Sequence, residues 1–186
     1  KWFGLSVNIL FYILSAIMVY IITTRIFRDR VKALIMLIIW GTSAGILNTV
    51  VFIRMYMMVS FFVLAATCLH LDLYKKKRPG VKFYSLLFLV TVGGGLTHYY
   101  FVVFIFFMAF YYVIFLLAQK RFRDVLLYIL TYLLSAGTAI LIFPSMIDQV
   151  FFGYRGQEAF EAMGEKGDFL NTGFQYISLI VKETMG

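Results

Sequence analysis

The chain has 186 residues, a formal net charge of +8 at pH 7 and a hydrophobic fraction of 62%. Ordinary soluble domains are about 45–50% apolar, so this composition excludes that class. The basic residues form short clusters between apolar stretches, with no continuous basic face, and this pattern indicates a membrane protein with no nucleic-acid partner.

Three clusters contain twelve of the seventeen Lys and Arg residues. Lys and Arg beside membrane spans are retained on the cytoplasmic side, so all three clusters are predicted to face the cytoplasm. They are Arg25/Arg28/Arg30/Lys32, Lys75/Lys76/Lys77/Arg78/Lys82 and Lys120/Arg121/Arg123.

The apolar stretches predict six membrane-spanning helices, since one span needs about 20 apolar residues. The outer turns fall at Arg54 and after the triple glycine 93–95, and Pro144 ends the last span. The fold class is therefore all-α, a polytopic integral membrane protein with a helix bundle over residues 1–144. The predicted spans are 2–24, 33–53, 56–73, 83–97, 99–118 and 125–143.

Residues 145–186 are predicted to form an extracytoplasmic loop, because acidic residues outnumber basic ones between Asp148 and Asp168. Apolar residues then recur at helical spacing from Leu170 to Val181. This spacing predicts an amphipathic helix at about 170–182 on the outer membrane surface, or alternatively the start of a seventh span.

Arg54 and Tyr56 lie at the first outer turn, where Arg54 is the only fully charged residue between Lys32 and Asp72. A guanidinium pairs bidentately with phosphate oxygens, and a nearby phenol adds a donor, so one interpretation is a site for a lipid-linked phosphate. The other is an arginine that anchors the helix end at the headgroups.

His98, Tyr99 and Tyr100 follow the three glycines at the second outer turn. An ionisable side chain near a membrane boundary is uncommon, so His98 is a candidate for binding a sugar or phosphate or for acid–base chemistry. The alternatives are a packing histidine and glycines that allow close helix contact. His70, beside Asp72, is predicted to be an interfacial residue on the cytoplasmic side.

The outer loop contains Asp148 and the series Glu158, Glu161 and Glu165. A carboxylate could serve as the base in a sugar transfer, but the helical spacing of the three glutamates also fits a solvated helix face. No metal-ligand signature such as HExxH is present, and the single cysteine, Cys68, excludes a disulfide within the chain.

Arg54-Met55-Tyr56 and Gly95-Leu96-Thr97-His98-Tyr99-Tyr100, with a lysine-rich inner loop between them, carry a family resemblance. The chain resembles the GT-C membrane glycosyltransferases related to dolichyl-phosphate-mannose protein mannosyltransferases and bacterial aminoarabinose transferases. The resemblance covers roughly residues 1–145.

The resemblance implies transfer of a sugar from a polyprenyl-phosphate donor to an acceptor at the outer face of a bacterial cytoplasmic membrane. It implies that Arg54, Tyr56, His98, Tyr99 and Tyr100 line the donor site. In this family the catalytic carboxylate follows an earlier span, so we expect it before Lys1, with a divalent metal possible in the intact parent and no activity in this piece alone. The alternative is a non-enzymatic transporter or envelope-assembly subunit.

Overall fold

A computed structural model describes residues 2–52, 55–75 and 79–145, except for the side chain of Lys75. The residues it describes form helices and no strands, which confirms the all-α class for this part of the chain. Arg54, the outer loop and the helix predicted at about 170–182 lie outside the described residues. The helices are α1 (Trp2–Phe27), α2 (Arg30–Thr42), α3 (Ala44–Val51), α4 (Tyr56–Lys75), α5 (Val81–Thr97), α6 (Tyr99–Ala118) and α7 (Phe122–Ile142).

Four of these helices, α1, α4, α6 and α7, are long and apolar enough to cross a membrane, and the bent pair α2–α3 would make a fifth. Helix α5 has 17 residues, the short end of the usual range for a span. The chain is therefore an integral membrane protein, and the count of six spans remains a prediction. The helices form one compact unit, Lys1–Ile142, and Phe143–Gly186 is a second unit.

The three junctions that carry the basic clusters lie at the same end of the helical unit. An ion pair of 2.7 Å between Arg25 and Asp72 joins the end of α1 to the end of α4. The Tyr74 ring stacks on Phe115 near the end of α6, at 5.1 Å between centroids. The Tyr84 hydroxyl lies 3.5 Å from Asp124, which joins the start of α5 to the start of α7. We call this the basic end, and the positive-inside rule assigns it to the cytoplasm.

The second predicted span, 33–53, is not one continuous helix. It begins at Arg30 after the cap residue Asp29 and breaks at Ser43, with a bend of 54° between α2 and α3. Ser43 adopts an extended conformation, and its hydroxyl accepts a hydrogen bond from the Ile46 backbone N–H while donating one to the Trp40 carbonyl. A serine that satisfies the exposed backbone groups on both sides makes the break stable inside an apolar segment.

The glycines at 93–95 continue α5 through Thr97 and do not end it. A Cβ on Gly93 would lie 2.6 Å from the Phe62 ring of α4, and one on Gly94 would lie 2.5 Å from the Phe101 ring of α6. Gly95 has no such neighbour within 4 Å. The packing interpretation of the glycines is therefore confirmed at the first two positions.

His70 is not interfacial, contrary to the prediction. Its side chain is fully buried among α4, α6 and α7, where it contacts Tyr112 and hydrogen-bonds Tyr128. Its position close to Asp72 in the sequence was misleading, since two residues along a helix differ by about 200° around its axis and so lie on opposite faces of α4.

Candidate functional site

Four of the five predicted site residues lie together at the end of the helical unit opposite the basic end. Tyr56 begins α4, His98 is the residue between α5 and α6, and Tyr99 and Tyr100 begin α6. Tyr56 lies beside the junction of α5 and α6 because α4 packs against both of these helices. Arg54, the fifth residue, precedes Tyr56 by two positions and lies outside the described residues.

His98 is held by the backbone of the helix that follows it. Its extended conformation ends α5, and its Nδ1 accepts a hydrogen bond of 3.2 Å from the Tyr100 backbone N–H. This bond satisfies one of the amides that the first turn of a helix leaves without a partner. A neutral imidazole that accepts through Nδ1 carries its proton on Nε2, so the ring presents a donor at its other nitrogen.

The imidazole of His98 is the centre of an aromatic cluster, which we call the outer aromatic cluster (Tyr56, His98, Tyr99 and Tyr100). Its centroid lies 5.8 Å from the Tyr56 ring, 4.4 Å from Tyr99 and 4.6 Å from Tyr100, the last in a stacked arrangement. Tyr99 and Tyr100 are 42% and 53% exposed, so a ligand can approach their rings from outside the bundle. Rings with polar tips suit a boundary between apolar and aqueous surroundings.

An open depression of about 500 Å³ adjoins the cluster through Tyr56. Its other lining residues belong to the end of α3: Asn48, Thr49, Val51 and Phe52. Its described lining therefore combines one amide, two hydroxyls and apolar side chains, a mixture typical of sites that take an amphipathic ligand.

Asn8 of α1 supports this region but was not among the predicted site residues. Its Nδ2 donates to the carbonyls of Val50 and Phe52, each at 3.0 Å, at the end of α3. A buried asparagine inside a long apolar helix is the sequence signal that could have identified it, because such a side chain needs a partner.

No group of three or more His, Cys, Asp and Glu side chains that could hold a metal ion occurs among the residues of 2–52, 55–75 and 79–145. The outer aromatic cluster offers imidazole and phenol groups and no carboxylate. Its chemistry is thus that of hydrogen-bond donors and ring faces, which suits binding of a phosphate and a sugar.

Comparison with known proteins identifies a family. The family model described as dolichyl-phosphate-mannose-protein mannosyltransferase matches residues 5–155. No curated protein and no solved structure matches the chain. The matched segment includes α1 from residue 5 onward, the other six helices of the described part of the chain and every residue of the outer aromatic cluster.

Proposed function

This chain belongs to the dolichyl-phosphate-mannose-protein mannosyltransferase family, and from that premise we propose that it takes part in transferring a sugar from a polyprenyl-phosphate donor to an acceptor at the outer membrane face. The observation that carries the proposal is the outer aromatic cluster, which joins both predicted motifs at the end away from the basic junctions. The family match favours this enzyme over a transporter or an envelope-assembly subunit.

In the proposed complex the donor lies with its lipid tail in the bilayer and its phosphate at the outer turns. The phosphate pairs with the Arg54 guanidinium, and the Tyr56 phenol and the His98 Nε2–H donate hydrogen bonds to its oxygens. The exposed faces of Tyr99 and Tyr100 pack against the sugar. The His98 donor stays in place during the reaction, because the bond from the Tyr100 backbone N–H holds its ring.

The transfer exchanges two bonds at the anomeric carbon. The acceptor oxygen forms a bond to that carbon, its proton goes to a carboxylate base, and the bond from the carbon to the phosphate oxygen breaks. The electron pair leaves with the polyprenyl phosphate, which gains negative charge. Donors aimed at the phosphate therefore stabilise the transition state more than the ground state.

The proposed partners are the membrane lipids and the polyprenyl-phosphate-linked sugar, and the proposed location is a bacterial cytoplasmic membrane. The location rests on the similarity of the two outer motifs to bacterial members of the group. The carboxylate base is assigned to no residue of this chain, and no step is assigned to a metal ion.

A test of the site replaces His98 by Asn in the intact protein, reconstituted in lipid with a polyprenyl-phosphate-linked sugar. Asn keeps a short acceptor that can cap the Tyr100 amide but removes the Nε2–H donor. We expect kcat/KM for the donor to fall about tenfold to a hundredfold, because a hydrogen bond to a charged group is lost.

The control is the thermal unfolding midpoint, which we expect to stay close to that of the parent because the cap is retained. Leu134→Ala, a change on an exposed face of α7, provides the matched variant for expression and reconstitution. Full donor use by the His98→Asn protein would exclude His98 from the phosphate site.

A further inference from the structure

We propose that Asn8 and Tyr12, on one face of α1, are positioning residues that brace the half-helix α3 and thereby fix the turn from which Arg54 and Tyr56 come. The inference rests on the proposed function of that turn. It assigns to the first helix a part in donor binding, although neither residue lies in the outer aromatic cluster.

Helix α3 needs external support because it is short and separated from α2. It has eight residues, and the break at Ser43 leaves a bend of 54° behind it. The last carbonyls of any helix lack partners within the helix, and inside a membrane they find no water. A half-helix of two turns has little stability of its own, so its position depends on what its ends contact.

Asn8 holds the far end of α3. Both of its amide contacts, to the carbonyls of Val50 and Phe52, come from the same Nδ2 atom, which carries two hydrogens. The residue is only 5% exposed, so no solvent competes for these bonds. The bonds connect positions 42 and 44 residues apart in sequence and fix the α3 end to α1.

Tyr12 contacts the last turn of α2, immediately before the break that separates α2 from α3. Its hydroxyl donates to the Gly41 carbonyl at 3.0 Å, and its ring stacks on Trp40 at 5.6 Å between centroids. A Cβ on Gly41 would lie 2.9 Å from the Tyr12 hydroxyl, so glycine permits this approach. Asn8 and Tyr12 are four residues apart and project from one face of α1.

Asn8 and Tyr12 act on the site indirectly, through α3 and the start of α4. The Thr49 hydroxyl lies 3.0 Å from the sulfur of Met57, which links the two helices next to Tyr56. Thr49 also lines the depression that Tyr56 closes. A displacement of about 1 Å in a substrate-positioning group can reduce a rate by two orders of magnitude. Movement of α3 would therefore impair the use of the donor.

The first experiment measures donor kinetics of the Asn8→Leu variant in the intact protein in lipid nanodiscs. Leu has a similar size but no donor, and we expect kcat/KM for the polyprenyl-phosphate-linked sugar to fall about tenfold, with most of the loss in kcat, because the displaced groups stabilise the transition state more than the ground state. Ser6→Ala is the control, because Ser6 is exposed on α1 and bonds only the Trp2 carbonyl of its own helix. An unchanged kcat/KM in Asn8→Leu would overturn the proposal.

Combining variants tests whether Asn8 acts through the turn. Adding Asn8→Leu to Arg54→Lys should lower kcat/KM by less than a further twofold. The reason is that both changes remove the same interaction: one removes the guanidinium fork, and the other removes the support that positions it. Asn8→Leu added to His98→Asn should multiply the two separate effects. Multiplicative losses in both combinations would indicate general destabilisation and overturn the proposal.

A second measurement does not depend on activity. Spin labels at Leu47 on α3 and Val102 on α6, both exposed and placed in a Cys68→Ala background, report the distance between these helices. We expect a narrow distribution in the parent and a broader one in Asn8→Leu, with a smaller broadening in Tyr12→Phe, which keeps the ring on Trp40. Unchanged distance distributions in both variants would show that Asn8 and Tyr12 do not hold α3 in position. Broadening with unaltered donor kinetics would instead overturn the role proposed for the turn.

Discussion

His70 is a fully buried imidazole whose two nitrogens both have partners. Nδ1 lies 2.6 Å from the Ala66 carbonyl, which can only accept, so Nδ1 carries the proton. Nε2 then accepts from the Tyr128 hydroxyl at 2.6 Å, and the Tyr132 hydroxyl lies 3.3 Å from both. The three side chains form a polar contact between α4 and α7 in the middle of an apolar core.

We expect Tyr128→Phe to lower the free energy of unfolding by about 1 kcal/mol, the range found for hydrogen bonds between membrane helices. The variant leaves Nε2 of His70 with the more distant Tyr132 hydroxyl as its donor. Reversible unfolding of the purified protein in mixed detergent micelles measures the effect.

Tyr112→Phe is the matched control, because the Tyr112 ring contacts His70 at 4.6 Å between centroids without hydrogen-bonding it. Its stability should differ from the parent by less than the Tyr128 variant does. Equal losses in the two variants would show that the effect of Tyr128→Phe does not come from its hydrogen bond to His70.

For individual residues, the sequence predicted some of the site and few of its contacts. His98 and Tyr56 were selected because polar groups at helix ends stand out against apolar spans, and they lie in ring contact. Neither His70 nor Asn8 could be assigned its partner, because those partners are 58 and 42 residues away and no periodic pattern encodes a contact between helices.

Helix α5 shows how single atoms determine the packing of an element. Gly94 is buried and faces the ring of Phe101, which is itself fully buried. Gly95, one position further, has nothing within 4 Å of an added Cβ. Neighbouring glycines in one helix therefore have different constraints.

We expect Gly94→Ala to destabilise the protein by about 1–3 kcal/mol, since an extra methyl group in a packed core forces side chains to shift. Gly95→Ala, its control, should be neutral or stabilise by up to about 1 kcal/mol through helix propensity. The same unfolding assay compares the two. A Gly95 variant as unstable as the Gly94 variant would contradict the packing explanation.

Most helix limits follow from the sequence, because charged clusters and apolar runs divide the chain at the same places as the structure does. The break between α2 and α3 was missed for a definable reason. Gly41-Thr42-Ser43 contains a residue that weakens helices and two that cap them, but the stretch around it is apolar enough to be taken for a single span. Capping chemistry, rather than hydropathy, determines that boundary.

At the scale of the whole molecule, the basic junctions predict which end of the helical unit faces the cytoplasm, and cysteine labelling can test that orientation. Cysteines introduced at Arg28, Gly80 and Lys120, all exposed, should react with a membrane-impermeant reagent only from the cytoplasmic side in a Cys68→Ala background. A cysteine at position 160, in the predicted outer loop, should react only from the other side. Reaction of any one position from the wrong side would contradict the six-span topology.

The contact between His70 and Tyr128 also has a consequence for biosynthesis. The ribosome delivers α4 to the bilayer while Tyr128, 58 residues downstream, is still to be made. Until α7 inserts, the imidazole of α4 lacks its phenol partner. Insertion of α7 is therefore the event that completes this polar contact, so the core of α4 reaches its final state only after the last of the described helices has entered the membrane.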